Sequence, residues 1–297
     1  GLFDPDCPVT TTDPMSAELV KYATNAYLAT RVMMANSFAD LCEALGADID
    51  AVTTGLGRDH RIGPHFLQPG PGFGGSCFPK DARALLDLGA AHGLDFPILA
   101  AAVEVNAARQ ERMADQVMAA VDGVDDPVVA LWGLAFKAGT DDTRESPALR
   151  IGELIAGRGA TVRAYDPEAT ANNPITGCDS ALAAATGADV LVVATEWPEF
   201  AEVDPVEVAV AMRGDLVMDL RGEPSGDLHL MPYLVERMVL TARVAGVEPF
   251  GAYWRADSRG TVASPEATLR AAVEGRARGF KGALCARTNQ VEPLNIG

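Results

Sequence analysis

The sequence predicts an α/β protein: an all-helical unit, then a doubly wound parallel-sheet domain, then a short α/β tail. Three observations carry this. Residues 16 to 121 place apolar side chains at helical spacing with no strand pattern among them. Residues 128 to 220 alternate short Val-, Leu- and Ala-rich runs with helical segments, as parallel sheets do. A polar string, Asp122-Gly123-Val124-Asp125-Asp126-Pro127, separates the two.

The elements follow in chain order. Residues 1–15 read as a polar lead-in. Ser16 to Leu45 reads as one long helix, with Leu19, Tyr22, Ala26, Ala29, Met33 and Phe38 on its apolar side. Ser16 is the expected N-cap and Gly46 the expected left-handed stop. A helix this apolar is expected to be covered on more than one side, inside a helical domain or a dimer. Asp50 to Gly55 predicts a short helix and Gly57 to Ser76 a Gly/Pro-rich loop. Pro79 to His92 and Pro97 to Val121 predict two more helices. These form a helical domain over 16–122. Strands are expected at Val128–Trp132, Thr161–Tyr165, Val190–Thr195 and Val217–Leu220, with a helix at Pro147–Arg158 capped by Ser146, giving an α/β domain over 127–222.

Composition bounds the partners. The 297 residues suffice for at least two domains, and 48% hydrophobic with 22% charged residues is ordinary for a folded chain. The formal net charge of −17 argues against nucleic acid, whose phosphates need a basic face. No run of eighteen apolar residues predicts a membrane span. The acidic, proline-broken start Gly1–Asp6 does not read as a signal peptide, so a cytoplasmic protein is expected. Five widely spaced cysteines, with no CxxC pair, fit neither a disulfide framework nor a metal site.

Gly70-Pro71-Gly72-Phe73-Gly74-Gly75 matches a dinucleotide fingerprint by letter only. No strand precedes it, and Pro71 stiffens it. The chemistry-bearing residues lie just beyond. Cys77 stands before Pro79, which suits the first turn of a helix, so the positive helix end and Lys80 would favour a thiolate. The alternative is a buried apolar cysteine. Asp81 is four residues on. Lys21 and Asn25 share one face of the long helix, either as a solvated edge or as a placed cation and amide.

Ala17–Ala26, Phe73–Asp81, Ala135-Phe136-Lys137 with Thr140–Pro147, and Thr195–Phe200 together resemble the UDP-glucose/GDP-mannose dehydrogenase family, in the family's order. The wording around Cys77 is similar to the UDP-glucose branch. The resemblance implies a Rossmann-like second domain and an NAD-dependent, four-electron oxidation of a sugar C6 alcohol to a carboxylate. Cys77 would carry the thiohemiacetal and thioester. Lys21 and Asn25 would stabilise the oxyanion, and Asp81 would help activate water. Phe66, Leu67, Phe73, Gly74, Lys137 and Arg221 would contact the UDP-sugar substrate. Arg61 would reach a neighbouring subunit's site, implying a homodimer through the long helix. Arg144 would face cofactor phosphates. Arg144 and Arg221 read equally as ordinary surface arginines.

The resemblance leaves the family's N-terminal NAD-binding domain without a counterpart in these residues, so sugar oxidation is expected to need that domain from elsewhere. Ser37 stands where the family commonly has an acidic residue. Residues 226–297 instead resemble the closing segment of the citrate-lyase-β/HpcH aldolase group, without its metal-binding acids and with Arg287-Thr288 in place of its His-Pro. Two alternatives therefore stand beside the dehydrogenase reading: a non-catalytic UDP-sugar-binding or dimerisation module, and a C–C lyase relative through the tail.

Overall fold

A computed structural model describes residues 10–214 and 216–220. Helix α1 spans Pro14–Leu45, α2 Ile49–Arg58, α3 Phe78–Ala91 and α4 Pro97–Ala120. Helix α1 starts earlier than the periodicity predicts. Its N-cap is Asp13, whose carboxylate accepts from Ser16 N–H at 3.0 Å, while Pro14 takes the first-turn place where a missing N–H costs nothing. Ser16 is instead the third helical residue, and its hydroxyl donates to Asp13 at 2.7 Å. Gly46, at φ 69°, ends α1 as expected.

Helices α1, α3 and α4 pack on one another through two small clusters. One joins Ala26, Ala82, Leu85 and Leu99; the other joins Ala29, Met33, Phe73 and Ala102. The alanines let the helix backbones approach closely. Among the described residues, the expected cover of α1 on more than one side is incomplete. Val20, Tyr27, Met34 and Leu41, seven residues apart, are each more than half exposed.

The second unit contains β1 (Val128–Trp132), α5 (Pro147–Gly157), β2 (Thr161–Tyr165), β3 (Thr176–Gly177), α6 (Ala181–Ala185), β4 (Val190–Val193), α7 (Pro198–Glu202), α8 (Pro205–Ala211) and β5 (Leu216–Asp219). All pairings are parallel and the strand order is β3-β2-β1-β4-β5. Strand alternation sends Val129 and Leu131 to one face and Ala130 and Trp132 to the other. The first face buries Ile151 and Ile155 of α5 together with Met113, Ala114 and Val117 from the end of α4. The second packs on α6, α7 and α8 through Ala184, Phe200 and Val208. Side chains such as Leu131 and Ile151, with no exposure, each contribute roughly 1.5–3 kcal/mol by burial.

Helix α4 therefore serves two cores. Its first half packs in the helical unit and its last turns pack on the sheet. Arg158 fixes the junction through Glu111 at 2.8 Å and Asp115 at 2.9 Å. Among the described residues no helix is long and apolar enough to cross a membrane. The tail reading over 226–297 lies outside the described residues.

Candidate active site

Three separated segments meet at the N-terminus of α3. Cys77 is its N-cap residue, free and exposed, and its carbonyl accepts from Asp81 N–H at 2.8 Å. That turn aims Asp81 inward, where its side chain has no solvent exposure. One face of α1 meets it there. Lys21 Nζ donates to Asp81 Oδ2 at 3.0 Å and Asn25 Nδ2 to the same oxygen at 2.5 Å, while Lys80 donates to Oδ1. Burial alone would raise the carboxyl's pKa. The bonds from Lys80, Lys21 and Asn25 overcome it and bring the pKa down to about 2. Asp81 is thus a fixed anion holding two ammonium groups and an amide beside the cysteine turn. The pKa of Lys80 is raised in return, chiefly by its bond to Asp81 and in smaller part by Cys77.

The cysteine loop is seated on the connection between β1 and α5. Gly75, at φ 78°, donates its N–H to Arg144 C=O at 2.9 Å, and a side chain there would strike the Phe136 ring. Gly74 lies flush against Glu145 C=O and Pro147. Arg83 on α3 adds an ion pair to Glu145 at 2.9 Å. Lys137 is exposed, its ammonium 5.3 Å from the Phe136 ring centroid. Arg144 chelates Asp142 through Nε at 2.9 Å and Nη2 at 2.8 Å, which holds Asp142 down at about 2.

The connection itself is held from below. Asp166, nearly buried at the end of β2, accepts from Leu134 N–H at 2.6 Å, Ala135 N–H at 3.0 Å and Trp197 Nε1 at 3.0 Å. Ser146 Oγ donates to Leu134 C=O at 2.6 Å and Thr195 Oγ1 to Ala135 C=O at 2.8 Å. Gly133, at φ 93°, passes so close to Thr195 that no side chain fits.

Of the other expected residues, Leu67 and Phe73 are buried, and Phe66 is exposed. Phe66 sits at φ 58°, a conformation unusual for so bulky a side chain, 6.3 Å ring to ring from Phe78. Arg61 stands apart from this cluster. It is exposed and pairs with Asp59 at 2.7 Å in its own loop. Arg221 lies outside the described residues. Sequence reading missed Lys80 as a partner of Asp81, and missed Asn36, Asn106, Arg109 and Asp166 altogether. Asn36 and Arg109 are polar residues on otherwise apolar helix faces, and that was the signal available.

The connection from β1 to α5 does not form a dinucleotide fingerprint. It runs from Gly133 to Ser146, not through the short glycine turn that sets a pyrophosphate on a helix N-terminus. Nor does any group of three or more His, Cys, Asp or Glu side chains among them fit a metal ion.

Comparison with known proteins matches two family models. Residues 15–108 match the UDP-glucose/GDP-mannose dehydrogenase family, central domain, and residues 130–223 that family's UDP binding domain. The UDP-glucose 6-dehydrogenase of Rickettsia conorii is 40% identical over 218 residues, covering 71% of this chain and 50% of that protein. That of Pseudomonas aeruginosa is 44% identical over 217 residues, covering 69% and 48%. Among solved structures, a UDP-glucose dehydrogenase from the hyperthermophilic archaeon Pyrobaculum islandicum superposes with a TM-score of 0.66 at 36% identity, over 73% of this chain and 50% of that one. The chain spans about half the length of the curated relatives it matches.

Proposed function

The chain belongs to the UDP-glucose/GDP-mannose dehydrogenase family, and from that premise we propose that it is the substrate- and cysteine-bearing part of a cytoplasmic UDP-glucose 6-dehydrogenase. The observation that carries this reading is the meeting of Lys21 and Asn25, the Phe73–Asp81 segment and the Phe136–Pro147 connection at one place. Nothing in the packing of either core requires lysines on a buried aspartate beside an exposed thiol.

In this reading Cys77 Sγ adds to the C6 aldehyde of the nucleotide sugar and gives a thiohemiacetal, the proton passing to the former carbonyl oxygen. Lys21, Lys80 and Asn25 supply positive charge and N–H groups to that oxygen as it becomes anionic. Asp81, its oxygens already occupied, orients these donors, which supports a positioning role alongside the expected help to a hydrolytic water. Lys137, on the connection touching the cysteine loop, favours diphosphate binding, Arg221 would join it, and Arg144 would face the cofactor phosphates. NAD is the hydride acceptor that the family reading proposes, and no step involving it is built on these residues.

Calorimetry and thiol mapping test the proposal together. UDP-glucose is expected to bind more tightly than NAD, and iodoacetamide to label Cys77 ahead of buried Cys42 and half-buried Cys178. Tighter binding of NAD, or an inert Cys77, would sink the assignment.

We also propose a homodimer along α1, because Val20, Tyr27, Met34 and Leu41 make an exposed apolar seam with the seven-residue spacing of paired helices. Arg61 would then serve the partner's site. Sedimentation is expected to show a dimer that Tyr27→Glu with Met34→Glu converts to monomer. A monomeric parent, or a double variant that still dimerises, would refute it.

A further inference from the structure

The cysteine loop begins with a turn, Gly70-Pro71-Gly72-Phe73, whose two ends are held in an unusual way. Each end has both its backbone N–H and its backbone C=O bonded to side chains of neighbouring helices. Gly70 N–H donates to Asn36 Oδ1 at 2.8 Å, and its carbonyl accepts from Arg109 Nε at 2.5 Å. Phe73 N–H donates to Asn106 Oδ1 at 2.8 Å, and its carbonyl accepts from Asn106 Nδ2 at 3.1 Å. One primary amide thus imitates a strand neighbour for Phe73. Gly72, at φ 124°, lies so close to the Asn106 amide that a side chain there would collide with it.

These helix side chains are themselves fixed. Asn36 is fully buried, and Arg109 Nη1 is bonded to Asp40 at 2.7 Å and Asn36 C=O at 3.3 Å. A buried guanidinium and two amides are a costly way to cover a loop that apolar side chains could cover. They fix the loop's register, because each bond is directional.

We propose that Asn36, Asn106 and Arg109 are positioning residues that clamp the turn before Cys77, with Asn106 setting where Phe73 and Gly74 meet the sugar nucleotide. This rests on the reading of Cys77 and its loop as the substrate site. A loop that is only partly in the binding conformation weakens its ligand by the fraction lost. Losing both bonds from Asn106 shifts that equilibrium about tenfold or more against the bound loop.

The test compares Asn106→Ala and Asn106→Asp with Gln116→Ala in the full chain. Gln116 lies on the same seam between α1 and α4, about two turns beyond Arg109, and donates to Glu43 at 3.1 Å. Asn106→Ala is expected to raise the Kd for UDP-glucose about tenfold or more, and Asn106→Asp about fivefold. Asn106→Asp is included because it keeps the acceptor for Phe73 N–H and loses the donor to Phe73 C=O. Both should also speed amide exchange in the peptide from Gly70 to Ser76. Gln116→Ala should lower Tm yet leave the Kd within about twofold and that exchange unchanged. Asn106 variants that keep the parent's Kd and exchange, or a Gln116→Ala that weakens binding as much, would overturn the clamp. If the parent itself does not bind UDP-glucose, the substrate reading fails, and the exchange rates alone decide whether Asn106 holds the turn.

Discussion

Gly74→Ala is expected to weaken UDP-glucose binding by at least about tenfold and to destabilise the chain by about 1–3 kcal/mol. The reason is purely steric. A Cβ on Gly74 would overlap Glu145 C=O and stand 2.7 Å from Pro147 Cδ. Neither neighbour can turn aside, since one is backbone and the other a ring at the first turn of α5. The cysteine loop must therefore lift from the α/β domain. That breaks the Gly75–Arg144 backbone bond and pulls Gly75 away from the Phe136 ring. Gly55→Ala is the matched control. Its Cβ meets nothing within 4 Å, and it lies inside α2, so it should be neutral or stabilising by up to about 1 kcal/mol. Thermal unfolding and calorimetry on both variants decide the matter. A Gly74→Ala chain with the parent's Tm and Kd would mean the loop does not dock as described.

Asp81→Asn is expected to remove a stabilising contribution that depends on pH. The folded carboxyl titrates at about 2, against an ordinary value of 3.8. A depressed pKa means the native state favours the ionised form. The contribution is therefore complete above the ordinary value and disappears as pH falls through about 2. The shift corresponds to about 2.5 kcal/mol at most. Because Lys21 and Lys80 are 61% and 59% exposed, solvent screening reduces that to about 1–2 kcal/mol. Urea unfolding of parent and variant at pH 7, 4 and 2 should show a gap that is constant from 7 to 4 and shrinks by that amount toward 2. A gap that stays constant to pH 2 would show that the lysines do not share the carboxylate.

Strand positions and the helix starts at prolines were legible in the sequence for a local reason. Val128–Trp132 appears at its expected bounds because a parallel strand buried on both faces must be continuously apolar, and Thr161–Tyr165 because buried Val162 and Ala164 alternate with more exposed Thr161, Arg163 and Tyr165. Pro97 and Pro147 open α4 and α5 because proline suits only the first turn. Strand β3, only Thr176–Gly177, carried no such pattern and was not foreseen. Helices α6, α7 and α8, at five to seven residues, are too short to show a period.

The identity of Cys77, Lys21, Asn25 and Asp81 as candidate chemistry was in the sequence, because cysteine before a proline-started helix and polar pairs one turn apart are local facts. What only the tertiary structure decided is how they are held. Asp81 is shared by donors 56 and 60 residues away in the chain, and no spacing rule reaches that far. The same limit hid Asn106 and Arg109, which read as stray polar residues on a helix until the loop they bond, more than thirty residues earlier, is laid against them. Local pattern fixes which groups are available. Long-range packing fixes which of them meet, because a hydrogen bond's direction depends on two backbones that the sequence brings together only by folding.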